Sequence, residues 1–372
     1  YDIPVLYFPK FFHPDPTVKR QSGFLVPHIN NSNILGSSLQ IPYFYAPTDN
    51  KDFTFKPTLF DKNIFMLQSE YRQQNKNSFL ITDFNIVDNY KSKKSNEKNT
   101  LTHLFSKYNL DLDLENFIES SLNFSFQKVN NDTYLKVFDS NIINTDLKPD
   151  NFDTLTSEID LSLESEKFTF NTGFTSYENL SKQNSDRYQF VLPHYNYSQK
   201  TIKFNSGNLN FDSRGNSTLD NTNNHKARII NDISFKMNDK ILSNIGLRNN
   251  LNFYFKNLNS IGKNVSTYKN SPQIEAQSMI ELNSEIPLSK ITEFNNQTLI
   301  PRFSLRINPG DMKNHKTSER IINTDNIFSI DRLGLGDTFE AGKSLTLGID
   351  YKKQMLKDVN KYFDIKLASV FR

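Results

Sequence analysis

The residues that could do chemistry in this 372-residue chain are few and widely spaced. No two of its six histidines have the helical or turn spacing of a metal site. The chain has no cysteine, no Gly-x-Ser-x-Gly elbow and no phosphate-binding glycine loop. Carboxylate pairs such as Asp111 and Asp113 have the composition of ordinary solvated segments. The sequence therefore predicts no catalytic residue, no metal and no cofactor.

A basic pair, Lys19 and Arg20, follows a proline-rich segment and is a candidate binding group. Arginine presents a bidentate fork and lysine a point charge, which suits an anionic headgroup or a lipid phosphate. A solvated pair in a linker is an equally good interpretation. The formal net charge is only +3 and the charges are mixed in sign, so the composition does not indicate a nucleic acid partner.

Two prolines stand inside stretches that otherwise have the composition of strands. Pro42 lies within Leu39–Tyr45, and Pro57 lies within Phe53–Phe60. Proline has no backbone N–H, so in sheets it belongs at edges, strand starts or bulges. The residues alone leave two readings open: either the prolines weaken the pairing of adjacent strands, or they only end strands and mark turns.

The elements that position these residues are predicted to be β-strands, because alternation with period two recurs along the chain. Roughly fifteen segments show this pattern, which is typical of an all-β chain. We predict an antiparallel meander from about residue 30 onward, with no helix longer than about three turns. The clearest example places Phe303, Leu305 and Ile307 on one face of a strand and Arg302, Ser304 and Arg306 on the other.

Polar clusters between these segments are predicted to be turns and long loops, among them Asn216–Asn224 and Asn257–Asn264. Leu101–Tyr108 and Tyr134–Phe138 are predicted to be short helices inside loops. A glycine-rich segment, Asp331–Leu347, is interpreted as a turn between two strands.

The composition narrows the all-β architecture. Hydrophobic residues make up 36% of the chain, and no run approaches the roughly 18 apolar residues of a transmembrane helix. A transmembrane barrel needs apolar residues on only one face of each strand. Its interior would be hydrated, with Phe303, Leu305 and Ile307 facing lipid. The periodicity favours such a barrel over the alternatives, a soluble β-solenoid or an array of sandwiches.

The order of residues near the N-terminal end resembles a known family. Strand-like Val5–Phe8, the run Lys19–Pro27 and the stretches around Pro42 and Pro57 follow one another as at the junction between periplasmic domain and barrel in the LPS-assembly outer-membrane proteins, the LptD or organic-solvent-tolerance family. The resemblance is dense over residues 4–72 and returns in 334–347. It implies that residues 1–22 end a periplasmic β-jelly-roll domain and its hinge. Residues 23–372 would form the N-terminal part of a large antiparallel barrel, incomplete in an internal fragment.

The resemblance also implies a function, which is insertion of lipopolysaccharide into the outer leaflet of the bacterial outer membrane without covalent catalysis. Pro42 and Pro57 would flank the lateral gate, and Lys19 and Arg20 would lie in the hinge. The implied partners are lipopolysaccharide, membrane lipid, a lipoprotein plug (LptE) in the lumen and a periplasmic bridge protein (LptA). The N-terminal end would be periplasmic. A general porin or ligand-gated transporter, and a lipid-modifying enzyme of the same membrane, remain as alternatives.

Overall fold

A computed structural model describes residues 20–61, 63–91, 98–138, 147–242, 244–311 and 321–372. These residues form twenty-one β-strands, one short helix, α1 (Tyr134–Phe138), and a single 3₁₀ turn at Asn184–Arg187. No helix in the described ranges is long and apolar enough to cross a membrane. The strands are β1 (Gly23–Phe24), β2 (His28–Ser32), β3 (Gly36–Gln40), β4 (Tyr43–Thr48), β5 (Lys51–Phe60), β6 (Phe65–Gln74), β7 (Ser78–Tyr90), β8 (Asn99–Asp111), β9 (Glu119–Val129), β10 (Thr154–Glu164), β11 (Phe168–Asn179), β12 (Tyr188–Phe204), β13 (Gly207–Asp220), β14 (Asn224–Met237), β15 (Lys240–Ile241), β16 (Arg248–Lys263), β17 (Gln273–Glu285), β18 (Leu288–Ile291), β19 (Asn295–Asn308), β20 (Gly342–Met355) and β21 (Tyr362–Phe371).

The contacts divide the chain into two compact units. The first runs to Leu110 and also includes Phe124–Leu155. The second contains Asp111–Asn123 and Thr156–Arg372. The predicted domain boundary at residues 22 and 23 stays a prediction, because residues 1–19 lie outside the described ranges.

In the first unit, β5, β6, β7 and β8 pair antiparallel with their neighbours in sequence. The second unit repeats this arrangement over longer strands, since β11 to β14, β16, β17 and β19 to β21 form successive antiparallel pairs. β15 and β18 are short strands that pair beside these ladders, with β16 and β19. The all-β class and the antiparallel meander within each unit are confirmed, and short interrupted strands raise the number above the predicted fifteen.

Of the two predicted helices, Tyr134–Phe138 is confirmed as α1. The prediction for Leu101–Tyr108 is wrong, because these residues belong to β8. Its alternate residues Leu101, His103 and Phe105 are all buried while the whole segment pairs with β7, and this period of two outweighs its helix-favouring composition.

The predicted loops at Asn216–Asn224 and Asn257–Asn264 are also wrong over most of their length. They belong largely to β13 and β16, with a turn only around residue 222. Asparagine is unfavourable in strands on average, but here its amides bond across the ladder. The Asn231 Nδ2 donates to Asn257 Oδ1 at 3.0 Å.

Strands of the second unit cover a polar face and expose an apolar one, whereas in the first unit the covered side also holds apolar residues such as Leu101 and Phe105. On β19, Ser304, Arg306 and Asn308 are buried, whereas Leu305 and Ile307 are each 38% exposed. The alternation predicted for this strand is therefore confirmed. A water-soluble sheet buries its apolar side, so the surface of these strands has the opposite polarity to that of a soluble core.

Candidate functional site

The chain passes through the sheet first as β1 and β2, then as β3 and β4, and then as β5, and each of these three passes contains a proline. Pro27 lies in the gap between β1 and β2, and Pro42 lies in the gap between β3 and β4. Pro57 lies within β5, opposite the gap that contains Pro42. The pairs Gln40 with Thr58 and Tyr43 with Phe55 keep one register on both sides of that gap. Between β5 and the strands that flank Pro42, the break therefore comes from lost bonding, whereas the register of the first pass with the second shifts by one residue across Pro27.

The backbone bonds at this break run in one direction only. The Ile41 amide donates to the Pro57 carbonyl at 3.2 Å, and the Leu25 amide donates to the Pro42 carbonyl at 2.9 Å. In an antiparallel ladder, two residues that are hydrogen-bonded in this way normally exchange both bonds. Neither proline has an N–H to return, so each pair makes one bond where two are usual.

The pairing on the other side of β5 is not affected. Pro57 stands opposite Leu67 in a continuous ladder with β6 that extends from Lys51 to Leu59. The missing N–H would point towards Ile41 and away from β6, because a strand residue directs its N–H and C=O to the same neighbour. The bond lost at Pro57 is therefore confined to the side of β5 that faces Ile41.

The structure brings the two predicted prolines together, and it adds Pro27, which was not predicted as a gate residue. The available signal was the equal spacing of Pro27, Pro42 and Pro57 along the chain. Large apolar side chains beside the break are exposed, with Phe24, Val26 and Ile29 at 77%, 67% and 84%. The break therefore lies within an apolar surface.

Of the predicted basic pair, Lys19 lies outside the described residues, and Arg20 is bound to the protein. Its guanidinium donates to Asp52 Oδ2 at 2.5 Å and to the Asp49 carbonyl at 3.3 Å. Asp52 is buried and also accepts a bond from Arg72 at 2.8 Å. The Arg20 side chain remains 45% exposed, so part of it faces solvent.

In the first unit, α1 is bound to the polar side of the strands by Tyr134. The Tyr134 hydroxyl accepts a bond from Asn85 at 2.6 Å and lies 2.7 Å from His103 Nδ1. Burial raises the pKa of Tyr134, which keeps its phenol neutral. These bonds hold α1 in place.

In the second unit, residues 321–341 lie against the polar face of the sheet, and we call this segment the strap. Arg332 of the strap is fully buried and donates to both Glu340 oxygens, at 2.6 and 3.0 Å. It also donates to the hydroxyls of Ser344 and Thr346 on β20, each at 2.9 Å. A buried charge is tolerated when it is paired and fully hydrogen-bonded, as this guanidinium is.

Residues on other strands bind the strap at further points. Arg228 on β14 contacts both oxygens of Asp337 at 3.0 Å. Tyr268, in the connection after β16, donates to Asp337 at 3.1 Å. Burial, and then the nearby Asp337 carboxylate, raise the pKa of Tyr268. Arg306 on β19 contacts the strap backbone at the carbonyls of residues 328 and 329, at 2.6 and 2.9 Å.

The segment Asp331–Leu347 is more than the predicted glycine-rich turn. Gly334 and Gly336 do adopt positive φ, at 66° and 70°, which favours glycine. The Gly336 carbonyl, however, accepts bonds from Lys256 at 3.0 Å and Arg214 at 3.2 Å, so the turn is bound to the sheet. The charges of this segment were visible in the sequence, but the partners of Asp337 and Glu340 were not predicted.

No group of three His, Cys, Asp or Glu side chains that could hold a metal occurs among the residues that the structure describes. The arrangement offers chemistry of another kind, namely a polar face covered by a segment of the same chain, an exposed apolar face, and a break in the ladder near one edge. These features define an all-β protein of antiparallel strands, which in the second unit cover a polar face and expose an apolar one.

Comparison with known proteins agrees with the resemblance found in the sequence. The chain is 41% identical over 71 residues, 19% of its length, to LPS-assembly protein LptD of Ectopseudomonas mendocina. It is 39% identical over 72 residues to LPS-assembly protein LptD of Legionella pneumophila and 27% identical over 124 residues to that of Idiomarina loihiensis. The matches cover 8% to 16% of the lengths of these three relatives. No family model matches the chain.

Proposed function

We propose that the strands belong to a transmembrane barrel of the bacterial outer membrane and that the protein inserts lipopolysaccharide into its outer leaflet. The polarity of the two faces of the second unit supports the membrane location, because lipid solvates exposed apolar side chains while a hydrated interior solvates the polar face. The names of the relatives, LPS-assembly proteins, support lipopolysaccharide as the substrate. No covalent step is part of the proposal.

The observation that carries this proposal is the one-sided hydrogen bonding at Pro42 and Pro57. A lipid that leaves the interior sideways has to separate two neighbouring strands, and each ladder bond opposes that separation. A net stabilisation of about 0.5–1.5 kcal/mol per bond is missing at each proline. We therefore assign these prolines to a lateral gate, at a place where two neighbouring ladders each lack one backbone bond.

The partners follow from the same proposal. A lipoprotein plug, LptE, would enter the lumen, and the bridge protein LptA would dock on a periplasmic domain that precedes residue 23. Lys19 and the exposed part of Arg20 would lie at the entrance to the barrel, where an anionic headgroup passes. The three relatives carry the name of an assembly protein and not that of a porin, and this favours lipid delivery over general diffusion.

The test is replacement of both prolines by alanine in the complete protein. Pro42→Ala together with Pro57→Ala supplies the two missing donors, so we expect less lipopolysaccharide at the cell surface and higher antibiotic permeability. Folded barrel is quantified by heat-modifiable gel migration. Normal export at normal barrel levels would remove the gate assignment.

Pro301→Ala is a matched control. Pro301 also lies inside a strand and its carbonyl accepts the Ile286 amide at 3.0 Å, but it belongs to β19 in the second unit. It tests whether any added strand donor slows export. Export should be unchanged in this variant.

A further inference from the structure

The turns at one end of the second unit expose large apolar side chains. They are the connections between β14 and β16, between β17 and β19, and between β20 and β21, and we call them together the apolar rim. Alternate connections of an antiparallel meander lie at the same end of its strands, so these three turns are neighbours. Their exposed apolar side chains, between 49% and 71% exposed, include Ile241, Ile245, Ile291, Phe294, Leu356 and Val359.

The opposite ends of β14, β16 and β17 are different. The turns there, 221–223 and 264–272, lie wholly within the described ranges and expose no large apolar side chain. They consist mainly of asparagine, serine, threonine and lysine, which is typical of turns in water. The exposed apolar side chains of the rim are therefore not a general property of the turns in this unit.

Backbone hydrogen bonds hold the turns of the rim in place. The Met355 amide donates to the Lys361 carbonyl at 3.0 Å and closes the turn between β20 and β21. The Leu356 amide donates to the Phe294 carbonyl at 2.9 Å and joins this turn to the one between β17 and β19. The apolar side chains are thus presented by a fixed backbone. An exposed apolar surface of this kind marks contact with a membrane or with a protein.

The rim is continuous with the exposed apolar face of the strands. An apolar groove with a volume of about 610 Å³ lies between them. Leu247 and Ile286 of the rim line one part of this groove. Leu347 and Ile349 of β20 and Leu367 of β21, all exposed, line another part. Because the groove connects the face with the turns, the medium that surrounds the face also reaches the rim.

The lysines of the rim favour lipid over protein as its partner. Each of the three turns has an exposed lysine directly next to an exposed isoleucine or leucine, namely Lys240 with Ile241, Lys290 with Ile291, and Lys357 with Leu356. Such a lysine can keep its methylene stem on apolar surface and its ammonium group at a lipid phosphate. Protein interfaces, by contrast, are depleted of lysine. The same turns also contain Asp239, Glu293 and Asp358, so the positions of the lysines carry this step and a net charge does not.

We propose that the apolar rim lies in the headgroup layer of a phospholipid leaflet, with its apolar side chains among the first acyl carbons and its lysines at the phosphates. Turns of a transmembrane barrel ordinarily lie in water, beyond the aromatic residues at the interface. Here the turns would bind that end of the unit to the lipid surface. The inference rests on the membrane location in the proposed function, and it does not depend on lipopolysaccharide or on the gate at Pro42 and Pro57.

The experiment measures the depth of the rim by fluorescence quenching in the complete protein, folded into vesicles of phosphatidylethanolamine and phosphatidylglycerol. This chain contains no tryptophan, and the difference between a variant and its parent isolates the signal of an added indole. Ile245→Trp, Ile291→Trp and Val359→Trp place one reporter in each turn. We expect lipid brominated near the headgroup to quench these reporters about threefold more strongly than lipid brominated at the chain end.

Ser266→Trp is the matched control, because residue 266 is exposed in the turn at the opposite end of β16. Brominated lipid should quench it less than it quenches the three rim variants. Equal quenching would show that the added indole, and not the rim, prefers lipid. Quenching of the rim variants by aqueous iodide alone would place the rim in water, and protection from both quenchers would assign it to a protein partner. Each of these three results would overturn the proposal.

Leu305→Trp separates the rim proposal from the membrane location on which it rests. Leu305 is on the exposed apolar face of β19, so brominated lipid should quench an indole at this position. If this variant is quenched and the rim variants are not, the rim proposal alone fails. If neither this variant nor the rim variants are quenched, the proposed membrane location fails as well.

Discussion

The Ile41 amide donates to the Pro57 carbonyl across 3.2 Å, and no bond returns from Pro57 to Ile41. The same one-sided relationship joins Leu25 to Pro42 at 2.9 Å. The two half-made pairs lie in two neighbouring ladders and meet at Ile41 and Pro42 of the middle pass, so each of these two ladders lacks one bond.

Replacing Pro57 by alanine should complete the pair with Ile41. The new amide donates to the Ile41 carbonyl, and we expect the local opening free energy to rise by about 0.5–1.5 kcal/mol. Amide hydrogen exchange at residues 41 and 57 measures this change directly. The global free energy of unfolding is a poorer readout. Removing proline raises the entropy of the unfolded chain, and this lowers that free energy by about 0.4–1 kcal/mol. Fast exchange at residue 57 in the variant would show that the bond does not form.

Replacing Leu305 by arginine should destabilise the inserted protein by about 2–4 kcal/mol if this position lies near the bilayer midplane. Leu305 is on the exposed apolar face of β19, where a charge would meet lipid under the proposed function. Urea titration of the protein folded into liposomes gives the free energy. Leu305→Met is the control, with little change expected. An unaffected midpoint for the arginine variant would place this face in water.

Replacing Arg332 by methionine should cost about 3–5 kcal/mol, because Glu340 would lose the partner that offsets its burial. The neighbouring Arg372 contacts Glu340 at 2.7 Å and offsets part of the loss. Limited proteolysis should then cut within residues 321–341, which the parent protein protects. Arg332→Lys keeps the charge without the two-pronged contact and should give an intermediate result. Equal protection in all three proteins would mean that this ion pair does not hold the strap.

Alkaline pH should release the contact between Tyr268 and the strap. Burial and Asp337 raise the pKa of Tyr268, so the folded protein favours the neutral phenol. The stabilisation is fully present below the unfolded pKa of about 10 and is lost as pH rises through the folded pKa. A difference titration of tyrosine absorbance between the parent and Tyr268→Phe isolates this group. Ionisation at or below the ordinary pKa would contradict the burial seen here.

Much of the strand structure was predictable from the sequence. On β19, polar and apolar residues alternate. This alternation predicts a strand with two different faces, and the prediction does not depend on which face is buried. The prolines were also visible, since proline limits backbone bonding wherever it stands. The Asn-rich segments of β13 and β16 were predicted to be loops because asparagine has a low intrinsic preference for strands. Its contribution here comes from amides on neighbouring strands, such as Asn231 and Asn257.

The sequence by itself determined the all-β class, the alternation of faces and the presence of prolines at the first strands. Only the tertiary structure decided that these prolines lie side by side and that residues 321–341 cover the polar face. The strap has the glycines and charged residues that are typical of a turn, and its own sequence does not show which residues pair with those charges. A buried charge must replace the water that it loses. Asp337 accepts hydrogen bonds from Arg228, and the strap backbone accepts them from Arg306. Both arginines lie on other strands, and only the folded sheet brings them next to the strap.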